Sequence, residues 1–299
     1  MKKGILYGIG AYALWGFFPI YWKFLHEVPA LQVIGHRIGW SFIVLIAFIL
    51  LTKQWQDFRV VAFHPRTIGT YAIAGVLLSI NWLVYVWGVN AGFIVETSLG
   101  YFINPLLSVL LGVIFLRERL RLAQWIPVAL AAIGVLYLTF VYGRLPWIAL
   151  TLAFSFGIYG LVKKIAPLGS LYGLTLETAI VFPAALVYLL VMEVNGTGAF
   201  LHDGPTIGLL LAGAGIVTTV PLLMFASAAK QIPLSMVGIL QYIAPTLQFL
   251  IGVFIYKEPF DHVHLIGFGI VWLALIIFWV ENFLAHRAAS EPIPELGEG

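Results

Sequence analysis

The sequence predicts an all-α polytopic membrane protein with ten transmembrane helices laid out as two inverted five-helix repeats, and three observations carry that reading. The 299 residues are 62% hydrophobic and 10% charged, with a mean hydropathy of +1.01, a composition unsuited to a water-facing surface. The apolar residues fall in about ten continuous runs of roughly 20 residues, each long enough to cross a hydrocarbon core of about 30 Å as a helix. They lack the in-and-out alternation of barrel strands. The third observation is a repeat. At an offset of 140 residues Pro105, Leu107, Leu110, Gly112, Val113 and Glu118 meet Pro245, Leu247, Leu250, Gly252, Val253 and Glu258, six identities in fourteen positions. A proline, a glycine and a closing glutamate in one register mark an internal duplication.

Taken in order, the first span runs from about Gly4 to Trp22 and holds Tyr12 and Trp15. Lys2 and Lys3 ahead of it, with Ala11, Tyr12 and Ala13 inside, superficially resemble a secretory signal. The apolar run continues through Trp15 and Phe18, however, and cleavage would remove the first helix of the repeat. The second span, Leu31 to Leu51, contains His36 and Arg37, and the third, Ile68 to Val89, has Asn81 and Tyr85 one turn apart. The fourth, Val95 to Leu116, starts with Glu96 and has Pro105 near its middle; the fifth is Leu122 to Phe140. The second set runs Leu145 to Val162, Leu171 to Met192, Thr206 to Ala226, Leu234 to Tyr256 and Val263 to Phe283. Residues 1–141 and 142–286 are therefore the expected repeats, and the polar, proline-containing tail 287–299 is expected to be disordered and cytoplasmic.

Five is odd, so the second copy must enter the membrane from the opposite face, which makes the repeats inverted. Orientation follows from the basic residues. Assigned to alternating sides, Lys2, Lys3, Lys53, Arg59, Arg66, Arg117, Arg119, Arg121, Lys163, Lys164, Lys230 and Arg287 fall together, against only Lys23, Arg144 and Lys257 on the other side. The positive-inside rule then places both termini in the cytoplasm. The same excess accounts for a net charge of +3 and a pI near 9 without a nucleic-acid partner. The chain has no cysteine, which excludes disulfides and thiolate metal sites and leaves the redox compartment unreadable.

Polar groups inside the spans are the functional candidates. Thr97, Tyr101, Asn104 and Ser108 line one face of the fourth span, a face that should not meet lipid. With Asn81, Tyr85, Gln241, Gln248, Tyr12 and Trp15 they are expected to line a central cavity; the competing expectation is interhelical hydrogen bonding alone. Pro105 and Pro245 sit about ten residues into their helices, where each frees the carbonyl four residues earlier, on Tyr101 and Gln241, and is expected to kink the helix. The intramembrane ionisable groups His36, Arg37 and Glu177 are candidates for gating or proton coupling. Arg37 and Glu177 are related by the 140-residue offset but differ in depth by roughly 10 to 12 Å, so each is expected to serve its own side. Glu96, near the periplasmic surface, suits either that coupling role or the positive end of its own helix dipole.

The whole chain, about residues 3 to 285, resembles the EamA branch of the drug/metabolite transporter superfamily, and within it the RarD-type proteins, chloramphenicol-sensitivity-like by name. The stretches that carry the resemblance are AYALWGFFPIYWK (Ala11 to Lys23), HRIGWS (His36 to Ser41), NWLVYVWGVN (Asn81 to Asn90), ETSLGYFINPL (Glu96 to Leu106) and RERLRLAQW (Arg117 to Trp125). Glu118, Glu258 and Gly267 are similar to the family pattern, with Pro127 where the first copy would carry the paired glycine. The resemblance implies an inner-membrane transporter, an exporter of small metabolites or drugs; the inverted duplication suits alternating access between the halves, and no cofactor is expected.

Other classes find less support. No HExxH motif occurs, and no aspartate falls within a span, which leaves little for a membrane-embedded enzyme. His262 and His264 are two residues apart and splay on a helix, so no metal site is expected. A channel or scaffold is the remaining alternative. Gly4 and Gly8 form a GxxxG that packs helices within a chain or between two copies in a homodimer.

Overall fold

The computed structural model describes residues 2–91, 93–143, 145–257 and 262–288. All regular structure in them is helical: α1 Lys2–Lys23, α2 Ala30–Leu51, α3 Trp55–Ala62, α4 Pro65–Asn90, α5 Ile94–Leu116, α6 Leu122–Tyr142, α7 Trp147–Ile165, α8 Ser170–Val194, α9 Ala199–His202, α10 Pro205–Gln231, α11 Leu234–Gln241, α12 Ile243–Leu250 with a π-helical turn Ile251–Ile255, and α13 His262–Ala288. Among the described residues eight helices are long and apolar enough to cross a bilayer, the stretch Leu234–Ile255 taken as one. Helices α6 and α13 hold shorter apolar stretches, Leu122–Tyr137 and Leu265–Phe278. The chain is thus a polytopic helical membrane protein. The expected tail, Glu258 and the side chains of His262 and His264 lie outside the described residues.

Two compact units result. One contains α1 to α5 and α7 to α12; the other contains α6 and α13. In the smaller unit α6 lies along α13, and Arg121 Nη2 donates to Glu281 Oε2 at 3.0 Å. The N-terminus of α6 is closed by Gln124, whose Oε1 accepts the Arg121 N–H, and the helix runs through Pro127 without interruption.

In the larger unit α1 packs on α10 and α12, while α7 packs on α4 and α5; α2 packs on α10 and α8, α8 on α4, and α5 on α11. Two close approaches make these contacts possible. The GxxxG of α1 is used inside the chain: a Cβ on Gly4 would lie 2.8 Å from Gln231 Cβ, and one on Gly8 2.7 Å from Leu240 Cδ1. Gly238 of α11 lies so close to α5 that a Cβ there would meet the Pro105 carbonyl oxygen at 2.6 Å. Small residues let the backbones close up, which is how helices associate without a hydrophobic driving force.

The proline helices differ from one another. Helix α5 runs through Pro105 without interruption. The ninth apolar stretch instead breaks at Tyr242, three residues before Pro245, and loosens again into the π turn. There the Tyr242 hydroxyl donates to the Phe102 carbonyl at 3.3 Å, joining α5 to the break.

Helix ends are closed by side chains from neighbours. The Glu118 carboxylate, just past the left-handed Arg117 that ends α5, accepts from Leu234 N–H at 2.6 Å and from Ser235 N–H at 2.9 Å. It therefore caps α11, whose first amides have no partner of their own. Glu96 does the same for α7, accepting the Ile148 N–H at 2.7 Å. Lys164 and Lys230 donate to the carbonyls of Ile232 and Ala166, just past helix ends.

Candidate functional site

Helices α1, α2, α4, α5, α7, α10, α11 and α12 converge on a cavity of about 220 Å³. It lies in the half of the unit where α1 and α4 end and α2 and α5 begin. All seven residues expected from the sequence to bind substrate, Tyr12, Trp15, Asn81, Tyr85, Tyr101, Asn104 and Gln241, line it, and so do Arg37 and Pro245. The helical spacing explains this: Asn81 and Tyr85 share a face of α4, as Tyr101 and Asn104 do on α5.

Some of these polar groups are occupied. Asn81 Nδ2 donates to the Leu152 carbonyl at 2.9 Å and to Ser155 Oγ at 3.0 Å, which ties α4 to α7. Gln248 Nε2 donates to the Trp15 carbonyl at 3.1 Å, and the rings of Tyr85 and Tyr101 meet edge to face at 5.6 Å. Others are not. Tyr12 Oη, Asn104 Oδ1 and Gln241 Oε1 are buried and, among the described residues, make no hydrogen bond. Each such group costs about 1–3 kcal/mol, and folded proteins keep few of them. All three belong to residues that line the one cavity.

The other half of the unit is closed. Tyr12 packs edge-on against Trp15 and Phe225, at 5.4 and 6.2 Å, and Phe225 lies against Phe156 and stacks on Tyr159, at 5.3 and 5.8 Å. Beyond this aromatic plug Lys163 Nζ meets Glu177 Oε2 at 2.8 Å, with both side chains 2% exposed. The ammonium also lies 5.3 Å from the ring of Tyr71 and 5.7 Å from that of Tyr159.

Comparison with known proteins agrees with this architecture. A family model described as the EamA-like transporter family matches residues 2–140. An uncharacterized transporter of Bacillus subtilis, YojE, is 48% identical over 294 residues, covering 97% of each chain, and the RarD protein of Escherichia coli K12 is 41% identical over 97% of this chain and 98% of its own. The chain belongs to the EamA-like transporter family. It is of the RarD type, and as a polytopic member of that family it is a membrane transporter. A crystal structure with 18% identity matches at a TM-score of 0.69 over 93% of this chain and 97% of that one, which shows a shared fold.

Within this EamA-like unit the remaining candidates are dispersed. His36 is buried away from the cavity, its ring stacked on Phe200 at 5.2 Å. Glu96 serves the N-terminus of α7, not only that of its own helix. Glu177 lies beyond the aromatic plug and pairs with Lys163. Arg37 does not pair with Glu177: its Nε donates to Thr218 Oγ1 at 3.0 Å, and its guanidinium lies over Trp82 at 4.2 Å and Trp22 at 4.9 Å.

Sequence reasoning missed one buried cation and several cavity-lining residues of this transporter. Lys163 counts as a loop cation in the charge tally, whereas it is buried inside α7. The clue was Glu177: a carboxylate in a span needs a cation on a neighbouring one. Trp22, Trp82 and Phe156 also line the cavity. Trp82 adjoins Asn81, a usable signal; Phe156 lies on an apolar span with nothing to distinguish it.

Proposed function

We propose that this chain is a secondary transporter that exports a small metabolite or drug across the bacterial inner membrane by alternating access, with both termini in the cytoplasm. Ten spans in two inverted repeats, 1–141 and 142–286, provide the two-fold relation on which such a cycle turns. The packing in the larger unit supports it. Exchanging the halves by the 140-residue offset turns α1 on α10 into α7 on α4, and α1 on α12 into α7 on α5. The contacts of α2 with α8 and of α5 with α11 map onto themselves, and Phe102 and Tyr242, themselves 140 apart, touch.

The observation that carries the reading is the cavity whose unpaired polar atoms come from both halves, Tyr12 and Asn104 from the first and Gln241 from the second. Tyr12, Trp15, Asn81, Tyr85, Tyr101, Asn104 and Gln241 form the substrate wall. Arg37 contacts the substrate, while Glu177 with Lys163 and the aromatic plug close the cytoplasmic side and must part for the inward-facing state. Glu96 holds α5 to α7 as they move, and His36 packs the periplasmic side. Pro245, beside the break in the ninth span, provides the bend; Pro105 provides a close crossing.

Solute counterflow in proteoliposomes tests this. A carrier shows saturable uptake accelerated by unlabelled substrate on the far side; flux that is linear in concentration with no acceleration would mean a channel, and no flux of any compound a scaffold.

A further inference from the structure

We infer that the compounds carried in this cavity are small organic monoanions, carboxylates above all, with a flat unsaturated body. The inference rests on the transporter reading of the same site and deepens it. Among the described residues that line the cavity, Arg37 is the single formally charged one. Among the described residues no carboxylate comes within ion-pair distance of it. An arginine inside a membrane span is costly unless a partner compensates it, and this one has been given only neutral partners.

Those partners also fix its direction. Thr218 Oγ1 takes the Nε–H, while the indoles of Trp82 and Trp22 hold the guanidinium through its π system. Neither contact uses the two Nη groups, whose N–H bonds form the fork that matches a carboxylate through two parallel hydrogen bonds. A lysine would offer only a point charge. The rest of the wall suits the rest of such a molecule: Trp15, Tyr85, Tyr101 and Phe156 offer ring faces and edges for a planar body. Asn104 Oδ1 and Gln241 Oε1 accept from any hydroxyl or N–H it carries. Among the described lining residues no carboxylate is at hand to receive an ammonium, and the Arg37 charge would repel one. A volume of about 220 Å³ is smaller than the roughly 300–1,000 Å³ of drug-sized pockets and points to a compact guest.

The test is a binding panel on the purified full-length protein in phosphatidylcholine nanodiscs, read by tryptophan fluorescence because Trp22 and Trp82 flank the guanidinium. The probes are benzoate, cinnamate and indole-3-carboxylate, their three amides, benzylamine, and inorganic phosphate. At least one carboxylate should bind ten times or more tighter than its amide. That ratio should fall below threefold in Arg37→Gln and stay intermediate in Arg37→Lys. Thr218→Val keeps the charge and frees its orientation, and should lower the ratio at least threefold, so the proposal does not depend on Arg37→Gln folding. Equal binding of acid and amide, tighter binding of benzylamine, or no binding of any carboxylate would overturn it. An equal response to phosphate alone, or saturation of the site by phosphatidylglycerol nanodiscs, would also overturn it by removing the organic body. Counterflow of a neutral or cationic compound would defeat the anion class and leave the transporter reading in place; the absence of all counterflow would defeat that reading itself.

Discussion

Removing one member of the Lys163–Glu177 pair should be far more damaging than removing both. At 2.8 Å and an effective dielectric of about 20 the attraction between the two charges is about 6 kcal/mol. Stripping water from each ion costs several kcal/mol, so against apolar side chains of similar volume the pair roughly breaks even. Glu177→Leu alone leaves a lysine 2% exposed with no counter-ion, a loss of about 3–5 kcal/mol. Lys163→Met alone leaves the carboxylate in the same position, and the double variant should recover to within about 1 kcal/mol of the parent, a coupling of about 5 kcal/mol or more in a double-mutant cycle. Thermal unfolding in a fixed detergent, followed by size-exclusion chromatography of the fluorescent fusion, measures all four proteins. If the single substitutions are harmless, or the double one is as damaged as the sum of the two, the pair is not the desolvated contact described above. If the double variant folds but no longer transports, the pair acts in closing its end of the cavity as well as in holding α7 to α8.

Three further outcomes follow from the same geometry. Gly238→Ala places a methyl carbon 2.6 Å from the Pro105 carbonyl oxygen and should cost about 1–3 kcal/mol through forced separation of α5 and α11; an unchanged melting temperature would mean the two backbones are not in contact. Glu118→Ala uncaps Leu234 and Ser235 at the start of α11, a loss of about 1–2 kcal/mol that Glu118→Gln should partly restore, read in the same unfolding assay. Asn104→Leu and Gln241→Leu remove atoms that form no hydrogen bond, so stability should hold or rise by about 1 kcal/mol while substrate binding weakens or changes preference. Destabilised proteins with intact transport would show those amides to be structural.

The cavity was legible because polar side chains are rare in a membrane span and helical spacing says which of them share a face. Tyr101 with Asn104, and Asn81 with Tyr85, could be placed from that rule alone. Depth and partnership were less legible. Lys163 is followed by Lys164 and reads as a loop pair, yet it is buried and Lys164 is the one that reaches a helix end. Glu96 and Glu118 each mark a helix boundary in the sequence, but the amides they cap belong to helices more than 50 and 110 residues away. No local pattern encodes such a partner. Pro105 and Pro245 occupy equivalent places in the repeat, yet one helix stays whole and the other breaks at Tyr242, since a proline frees a carbonyl and the neighbouring helix decides how it is satisfied. The short helices α3 and α9 lie between the apolar runs, where hydropathy carries no signal.

Because the chain contains no cysteine, the central claim is open to direct measurement with Asn104→Cys and Gln241→Cys and a membrane-impermeant thiol reagent applied to oriented vesicles. A cavity that opens alternately between two halves predicts that both positions react from each face in turn, with a transported compound protecting them. Reaction confined to one face under every condition, or protection by lipid from both, would contradict it.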